Sequence, residues 1–150
     1  IEGFVVRFSS GLWVKAKGDD YVLKHKAKDS ILQEKNVLAL ALGGQLDDVL
    51  PLLDAPDRQA VETYRDSVMA GVRETAILVE RIVADGRDLG QKEFATGHLK
   101  DVPTLLRPLA FTVRRGEDAH DAVVAMLLKN TGSQSSVDFG RPLHGATWSI

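Results

Sequence analysis

The sequence predicts an α+β fold, in which a short N-terminal antiparallel β-hairpin is followed by a mostly α-helical domain. Residues 3–8 and 12–17 are typical of two strands, and the turn residues "SSG" lie between them. From Asp19 onward, apolar residues recur at intervals of three and four, which is the period of an amphipathic helix. The two patterns therefore divide the chain into a ribbon and a helical region.

Length and composition restrict the class of protein. A chain of 150 residues suits one domain, and folding at this size buries roughly 70% of the unfolded surface. The absence of cysteine excludes disulfides, thiolate metal sites and thiol nucleophiles, and favours a reducing compartment such as the cytoplasm. No apolar run approaches the ~20 residues of a membrane span, and the first residues lack the order of a signal peptide. We therefore expect a cytoplasmic protein without a membrane partner.

The charge is unevenly distributed along the chain. The net charge is −2, but residues 1–30 carry six basic and four acidic side chains, so this segment is +2 and the remainder is −4. The opening segment is therefore the part suited to bind phosphates. The chain as a whole lacks the strongly basic balance of a protein that coats nucleic acid.

On the second predicted strand, two lysines share one face. Side chains on a strand alternate, so Lys15 and Lys17 project on the same side, about 7 Å apart. Two amines at this spacing can flank a single phosphate, and hydrogen bonds to charged groups contribute about 1.5 to 3 kcal/mol each.

Helices are predicted along most of the remaining chain. Pro56 suits the first turn of the longest one, which ends near Asp85 and Gly86. Ser30 and Gln33 read as a capping box at the start of an earlier helix, and Pro51 interrupts the next. The final residues, 131–150, are predicted to form a tail. The predicted helical ranges are 19–28, 30–42, 46–53, 56–84, a stretch around 105–109 and 117–129.

Three segments near the start resemble a known family. "IEGFVV", "GLWVKAK" and "DDYVLKHKAKDSI" are similar to the last two nucleotidyltransferase motifs, and the segment that follows them, of the phage ATP-dependent RNA ligase 1 family of tRNA-repair ligases. The resemblance is tight over residues 1–31, looser to about Leu50, and limited to helical character beyond. It implies that residues 1–28 end a nucleotidyltransferase domain, to whose sheet the hairpin belongs. Residues 29–150 then form a helical C-terminal domain related to RNA or tRNA.

The resemblance also implies roles for individual residues. Lys15 and Lys17 correspond to the lysines that hold the α-phosphate of ATP, and Glu2 to the glutamate at the metal and phosphate site. Tyr21 corresponds to a tyrosine that matters for ligation, and Asp47 and Asp48 to an aspartate pair implicated in Mg²⁺ binding. The expected cofactors are ATP and Mg²⁺.

The implied reaction seals RNA 3′-hydroxyl and 5′-phosphate ends through enzyme–AMP and RNA–adenylate intermediates. Fixed ammonium groups stabilise the negative charge that builds on the α-phosphoryl oxygens during AMP transfer. The expected partner is RNA, in particular tRNA with a broken anticodon loop. The family's lysine nucleophile lies in a K-x-D-G motif, and no such tetrapeptide occurs here. We therefore expect this chain to be the carboxy-terminal half of a ligase, inactive by itself.

Each of these residues also has an ordinary structural interpretation. A Lys-x-Lys strand taken alone is usually a solvated face, and Tyr21 can equally serve packing. Asp47 and Asp48 suit the start of a helix, where carboxylates favour the dipole. The alternative function is a noncatalytic helical module that binds RNA or another protein; in a third interpretation, the helical part only buttresses a catalytic domain.

Overall fold

A computed structural model describes the backbone of residues 16–149 and the side chains of residues 21–149. Within this range the chain is helical, and no strand is present. Short 3₁₀ turns at Leu50–Leu52, Thr104–Leu106 and Arg141–Leu143, and a π-helical turn at Phe94–His98, lie between or beside the α-helices. The α-helices are α1 (Ala16–Ser30), α2 (Glu34–Leu42), α3 (Leu46–Val49), α4 (Ala55–Asp85), α5 (Gln91–Glu93), α6 (Arg107–Arg114), α7 (Ala119–Leu128) and α8 (Gln134–Gly140).

The predicted α+β class is wrong for the described residues. The second predicted strand ran from residue 12 to residue 17, yet Ala16 and Lys17 form the first turn of α1. Six alternating residues are a weak signal beside a helix that carries Asp19 and Asp20 near its start and Lys28 in its last turn, as the helix dipole favours. The first strand and residues 12–15 lie outside the described residues. Helix α1 also runs across the predicted domain boundary after residue 28.

Helix α4 is the element on which the others pack. It has 31 residues, so it is about 46 Å long, and Pro56 lies in its first turn as predicted. The face that it buries recurs at intervals of three and four, as its sequence indicates. It contacts α2, α6, α7 and the 3₁₀ turn Arg141–Leu143. The buried residues of α4 are Val61, Tyr64, Val68, Val72, Ala76 and Val79.

The C-terminal end of α4 is closed by a small second core. Phe94, which is fully buried, packs edge-on against Phe111, and the guanidinium of Arg114 lies 4.2 Å from the centre of the Phe94 ring. Arg114 donates to the backbone oxygens of Gly86 and Leu89 just beyond the helix. These bonds tie α6 to the loop that follows α4.

Helix starts and stops follow local chemistry in some places and tertiary packing in others. The predicted capping box is wrong, because α1 continues to Ser30 and α2 begins at Glu34 with no side-chain cap. Asp118 caps α7 by accepting from the backbone N–H of Asp121. Pro51 lies in the 3₁₀ turn that follows α3, where the sequence predicted a bend.

The predicted tail is also wrong. Ser133 caps α8 through a side-chain bond to the N–H of Ser136, and Val137 and Leu143 are buried in the main core. Two buried apolar residues and one cap are too sparse a pattern to predict a seven-residue helix from sequence. Among the residues described, no helix has both the length and the apolar character needed to cross a membrane.

The packing of α7 predicts a contrast between two neighbouring leucines. Leu127 is 1% exposed in the core, whereas Leu128 is 39% exposed on the same helix. We expect Leu127→Ala to lower the free energy of unfolding by about 2 to 5 kcal/mol, because it leaves a cavity. The control, Leu128→Ala, should change it by less than about 1 kcal/mol. Urea unfolding followed by circular dichroism measures both, and equal losses would contradict the packing of α7.

Candidate functional site

The residues singled out by the sequence fall in three places. Glu2 and Lys15 lie outside the described residues, and Lys17 lies in the first turn of α1, before the described side chains begin. Tyr21 lies further along α1, and Asp47 and Asp48 lie on α3. The roles predicted for these six residues at the nucleotide and metal therefore remain predictions.

The first part of α1 stands out from the helical core. Every described side chain from residue 21 to residue 26 is exposed, and burial begins at Ala27 and Ile31. The helix is therefore anchored by its C-terminal end. The exposed part of α1, residues 21–26, lies within the segment that resembles the ligase family.

Tyr21 and His25 form a stacked pair on this exposed part of α1. Their spacing of four puts them on one helix face, where their ring centres are 5.9 Å apart and their planes differ by 15°. Tyr21 is 68% exposed, so apart from the stack on His25 it is not packed into the core. Residues 21–28 contain Lys24, Lys26 and Lys28; Lys28 pairs with Asp57 at 2.6 Å, and the carboxylate of Asp29 lies 3.9 Å from His25 Nε2. This surface combines a flat ring pair with positive charge.

Asp47 and Asp48 do not form a metal site by themselves. Both are exposed in the first turn of α3, where their charge favours the helix dipole. Adjacent residues on a helix point about 100° apart, so the two carboxylates do not face one ion together. No cluster of three or more His, Cys, Asp or Glu side chains suited to a metal occurs among the described residues. The pair alone does not fit Mg²⁺, and we derive no reaction step through a metal.

The most elaborate polar cluster surrounds a buried carboxylate. Glu34, at the start of α2, is 6% exposed. Both of its oxygens accept from Arg141, at 2.8 Å each, and this is the bidentate geometry of a strong ion pair. Tyr64 of α4 donates to Glu34 Oε2 at 2.7 Å, and Gln134 of α8 donates to Oε1 at 3.1 Å. Arg141 and Gln134 also donate to Asp138.

These bonds determine the ionisation of the cluster. Burial alone raises the pKa of Glu34, but the hydrogen bonds from Arg141, Tyr64 and Gln134 outweigh it and hold the pKa below its ordinary value of 4.5. Burial and the bond to the Glu34 carboxylate raise the pKa of Tyr64. The same carboxylate raises the pKa of Arg141 through its hydrogen bonds. Glu34 is therefore charged and Tyr64 neutral in the folded protein at neutral pH.

Residues 144–149, which we call the C-terminal strap, lie along α4 beside this cluster. The Ala146 carbonyl accepts from Arg141 at 2.6 Å, and Trp148 donates from Nε1 to the Ile31 carbonyl at 2.9 Å. The Trp148 ring meets the edge of Tyr64, with ring centres 5.3 Å apart. Gly71 permits the close approach, because a Cβ there would lie 2.0 Å from the backbone oxygen of His144.

A groove of about 850 Å³ runs between α4 and the strap. Its α4 side presents small or uncharged polar residues such as Gln59, Thr63 and Ser67, with Glu74 at one end. Among the side chains of residues 21–149, no lysine or arginine lines it, so these residues do not suit it to bind phosphate.

Sequence reasoning did not identify this cluster or the strap. Glu34 and Arg141 are separated by 107 residues, and nothing local marks them as partners. One weak signal exists, because Glu34 stands at the start of a helix otherwise rich in Leu and Ala. Comparisons with protein-family models, with curated proteins and with solved structures found no match for the chain.

The carboxylate cluster predicts how stability depends on pH. Because the pKa of Glu34 is lower in the folded than in the unfolded chain, its stabilisation is complete above about pH 4.5 and is lost as pH falls through the folded pKa. We expect Glu34→Gln to lower the free energy of unfolding by about 3 kcal/mol at neutral pH, because Arg141 loses its charged partner. The difference in the free energy of unfolding between the wild type and Glu34→Gln should become smaller as pH falls below about 4.5.

Denaturant unfolding over a pH series measures this difference. Glu80→Gln is the control, because Glu80 is exposed on α4 and belongs to no part of the cluster. A difference between wild type and Glu34→Gln that is equally large at all pH values would show that the charge of Glu34 is not responsible.

Proposed function

We propose that this chain is part of an ATP-dependent RNA ligase. It supplies residues that contact phosphate and RNA, and a lysine nucleophile comes from polypeptide outside these 150 residues. The order of "EGFVV", "KAK" and "DDYVLKHKAKDSI" carries the proposal, because three motifs in sequence are more specific than any one of them. The proposed setting is a reducing cytoplasm.

In this proposal Lys15 and Lys17 act on the α-phosphate of ATP. Ammonium groups beside the α-phosphoryl oxygens stabilise charge that develops as AMP is transferred to lysine, and again as it passes to the RNA 5′-phosphate. ATP supplies the adenylate group. Because Lys17 lies in the first turn of α1, the predicted strand face shared by Lys15 and Lys17 no longer supports these roles, which rest on the order of the motifs.

The exposed part of α1 has features that support a contact with RNA. Unpaired bases stack on exposed aromatic rings, and lysines attract the phosphates between them. The Tyr21–His25 pair offers such rings on a segment of positive charge, within a chain whose net charge is −2. The broken anticodon loop of a tRNA presents unpaired bases of this kind.

A second candidate function rests on the same surface. A noncatalytic helical module that binds RNA needs the exposed ring pair and the lysines of α1, and it needs neither ATP nor a nucleophile. The two candidates differ in whether the chain's own motif lysines affect AMP transfer.

We expect Lys15→Ala or Lys17→Ala to slow formation of the lysine–AMP adduct about 10- to 100-fold, because each removes a charged hydrogen bond to phosphate. The measurement uses the protein expressed with the residues that precede Ile1 in its gene, labelled ATP and Mg²⁺. Lys26→Ala is the control, because Lys26 is exposed on α1 outside the phosphate motif.

The 150-residue chain alone should form no adduct, since it lacks the K-x-D-G motif. Normal adenylylation by both lysine variants would refute the proposed roles of Lys15 and Lys17, and an adduct on the isolated chain would refute the inference that the nucleophile lies outside it. An intact protein that forms no adduct would leave the RNA-binding module as the better candidate.

The α1 surface gives a prediction that does not involve ATP. We expect Tyr21→Ala to weaken binding of a single-stranded anticodon-loop RNA by the 150-residue chain about 5- to 150-fold, because a base loses its stacking partner. Fluorescence anisotropy measures the affinity. Leu23→Ala is the matched control, since Leu23 is 49% exposed on the same helix but is not aromatic. Equal losses in both variants, or none in either, would exclude base stacking on Tyr21.

A further inference from the structure

His144 is a buried histidine that the proposed reaction does not use. It begins the C-terminal strap and is 6% exposed. Its Nδ1 accepts a hydrogen bond of 3.0 Å from the backbone N–H of Ala146, so the proton of the neutral ring is on Nε2. Nε2 is itself buried without a hydrogen-bond partner among the described residues. The site therefore accepts the ring only in its neutral form.

The charged groups around His144 do not stabilise its protonated form. The positive charge of Arg141 opposes protonation of His144, and Glu34 favours it. Glu34 is already engaged by three donor side chains, and Asp138 by two of the same residues. On α4, Tyr64 is held neutral and Glu74 lines the groove beside the strap. A charged imidazole would thus remain buried beside the guanidinium of Arg141, while both carboxylates of the cluster are already paired.

We propose that protonation of His144 releases the C-terminal strap from α4, so that the strap is a pH-sensitive cover over the Tyr64 side of that helix. A proton on Nδ1 occupies the lone pair that accepts from Ala146, and the two N–H groups then repel. The hydrogen-bonded backbone from His144 to Ala146 must open for the charged ring to reach water. Its movement withdraws the Ala146 carbonyl from Arg141 and the Trp148 ring from Tyr64.

The direction of the pH dependence follows from the burial of the ring. Burial and the charge of Arg141 lower the pKa of His144 from its ordinary value of 6.5 while the strap is bound. The bound strap is therefore fully favoured above about pH 6.5 and is lost as pH falls from there toward the bound-state pKa. Between these two values, the ratio of released to bound strap rises about tenfold per pH unit, because one proton is taken up.

Release of the strap begins at a higher pH than protonation of Glu34. The pKa of Glu34 lies below 4.5, whereas the stabilisation from neutral His144 begins to be lost at about pH 6.5, so Glu34 is still charged where release of the strap begins. The helices should accordingly stay folded while the strap moves.

Trp148 reports the position of the strap. The chain has two tryptophans, so Trp13→Phe leaves Trp148 as the single emitter. We expect its emission to shift to the red, and its quenching by acrylamide to increase, as pH is lowered from about 7.5 to about 5, with the far-ultraviolet circular dichroism unchanged. An absent transition, or one accompanied by loss of helix, would overturn the proposal.

His144→Asn in the same background is the decisive variant. The asparagine Oδ1 can accept from the Ala146 N–H in the place of Nδ1, and it does not titrate in this range. It should keep the strap bound down to about pH 5. His120→Asn, at the start of α7 and outside the groove, should titrate like the parent. A transition in His144→Asn identical to that of the parent would assign the effect to another group.

Gly71→Ala keeps the proposal testable if His144→Asn does not fold. The added Cβ would meet the His144 backbone, so this variant should show the released emission at all pH values. An acid transition of normal amplitude in Gly71→Ala would show that Trp148 reports something other than the strap.

Discussion

The bidentate ion pair between Glu34 and Arg141 is the interaction on which the arrangement of the helical region depends. It joins the first turn of α2 to the 3₁₀ turn after α8, and Tyr64 of α4 completes the contact from a third direction. A buried ion pair by itself is weak support for stability, because removing two charges from water is costly. Here the carboxylate receives four hydrogen bonds, and this saturation compensates for the desolvation. The ion pair also favours one arrangement of the helices, because an arrangement that left Arg141 or Glu34 buried and unpaired would be far less stable.

The strap extends this dependence to the end of the described chain. Its position requires the guanidinium that Glu34 orients, the neutral ring of His144, and a glycine at position 71 where a side chain would collide. Three unrelated requirements meet in a segment of six residues with no regular secondary structure. Such a segment has few contacts of its own, so a change of one charge can move it while the helices remain in place. Stability of the core and mobility of the strap are therefore controlled by different titrating groups.

The proposed chemistry lies at the opposite end of the sequence, on and before α1. Among the side chains described from residue 21 onward, burial of that helix begins at Ala27, and the rings of Tyr21 and His25 are exposed. An element of this kind can contact a partner without disturbing the packing that supports it. The helical domain then serves to hold α1 at a fixed position, and the strap and groove form a separate surface.

The sequence by itself determined the long helix α4 with its buried face, the break at Pro51, and the motif residues from which a function can be proposed. These depend on periodicity and on local backbone chemistry, which neighbouring residues encode. It misassigned Ala16 and Lys17 to a strand, because a short alternating stretch does not outweigh the helix that follows. Only the tertiary structure decided that Glu34 and Arg141 are partners, that His144 is neutral and buried, and that the supposed tail forms α8 and a strap. Those features arise from groups up to 117 residues apart, whose burial and pairing no local pattern records.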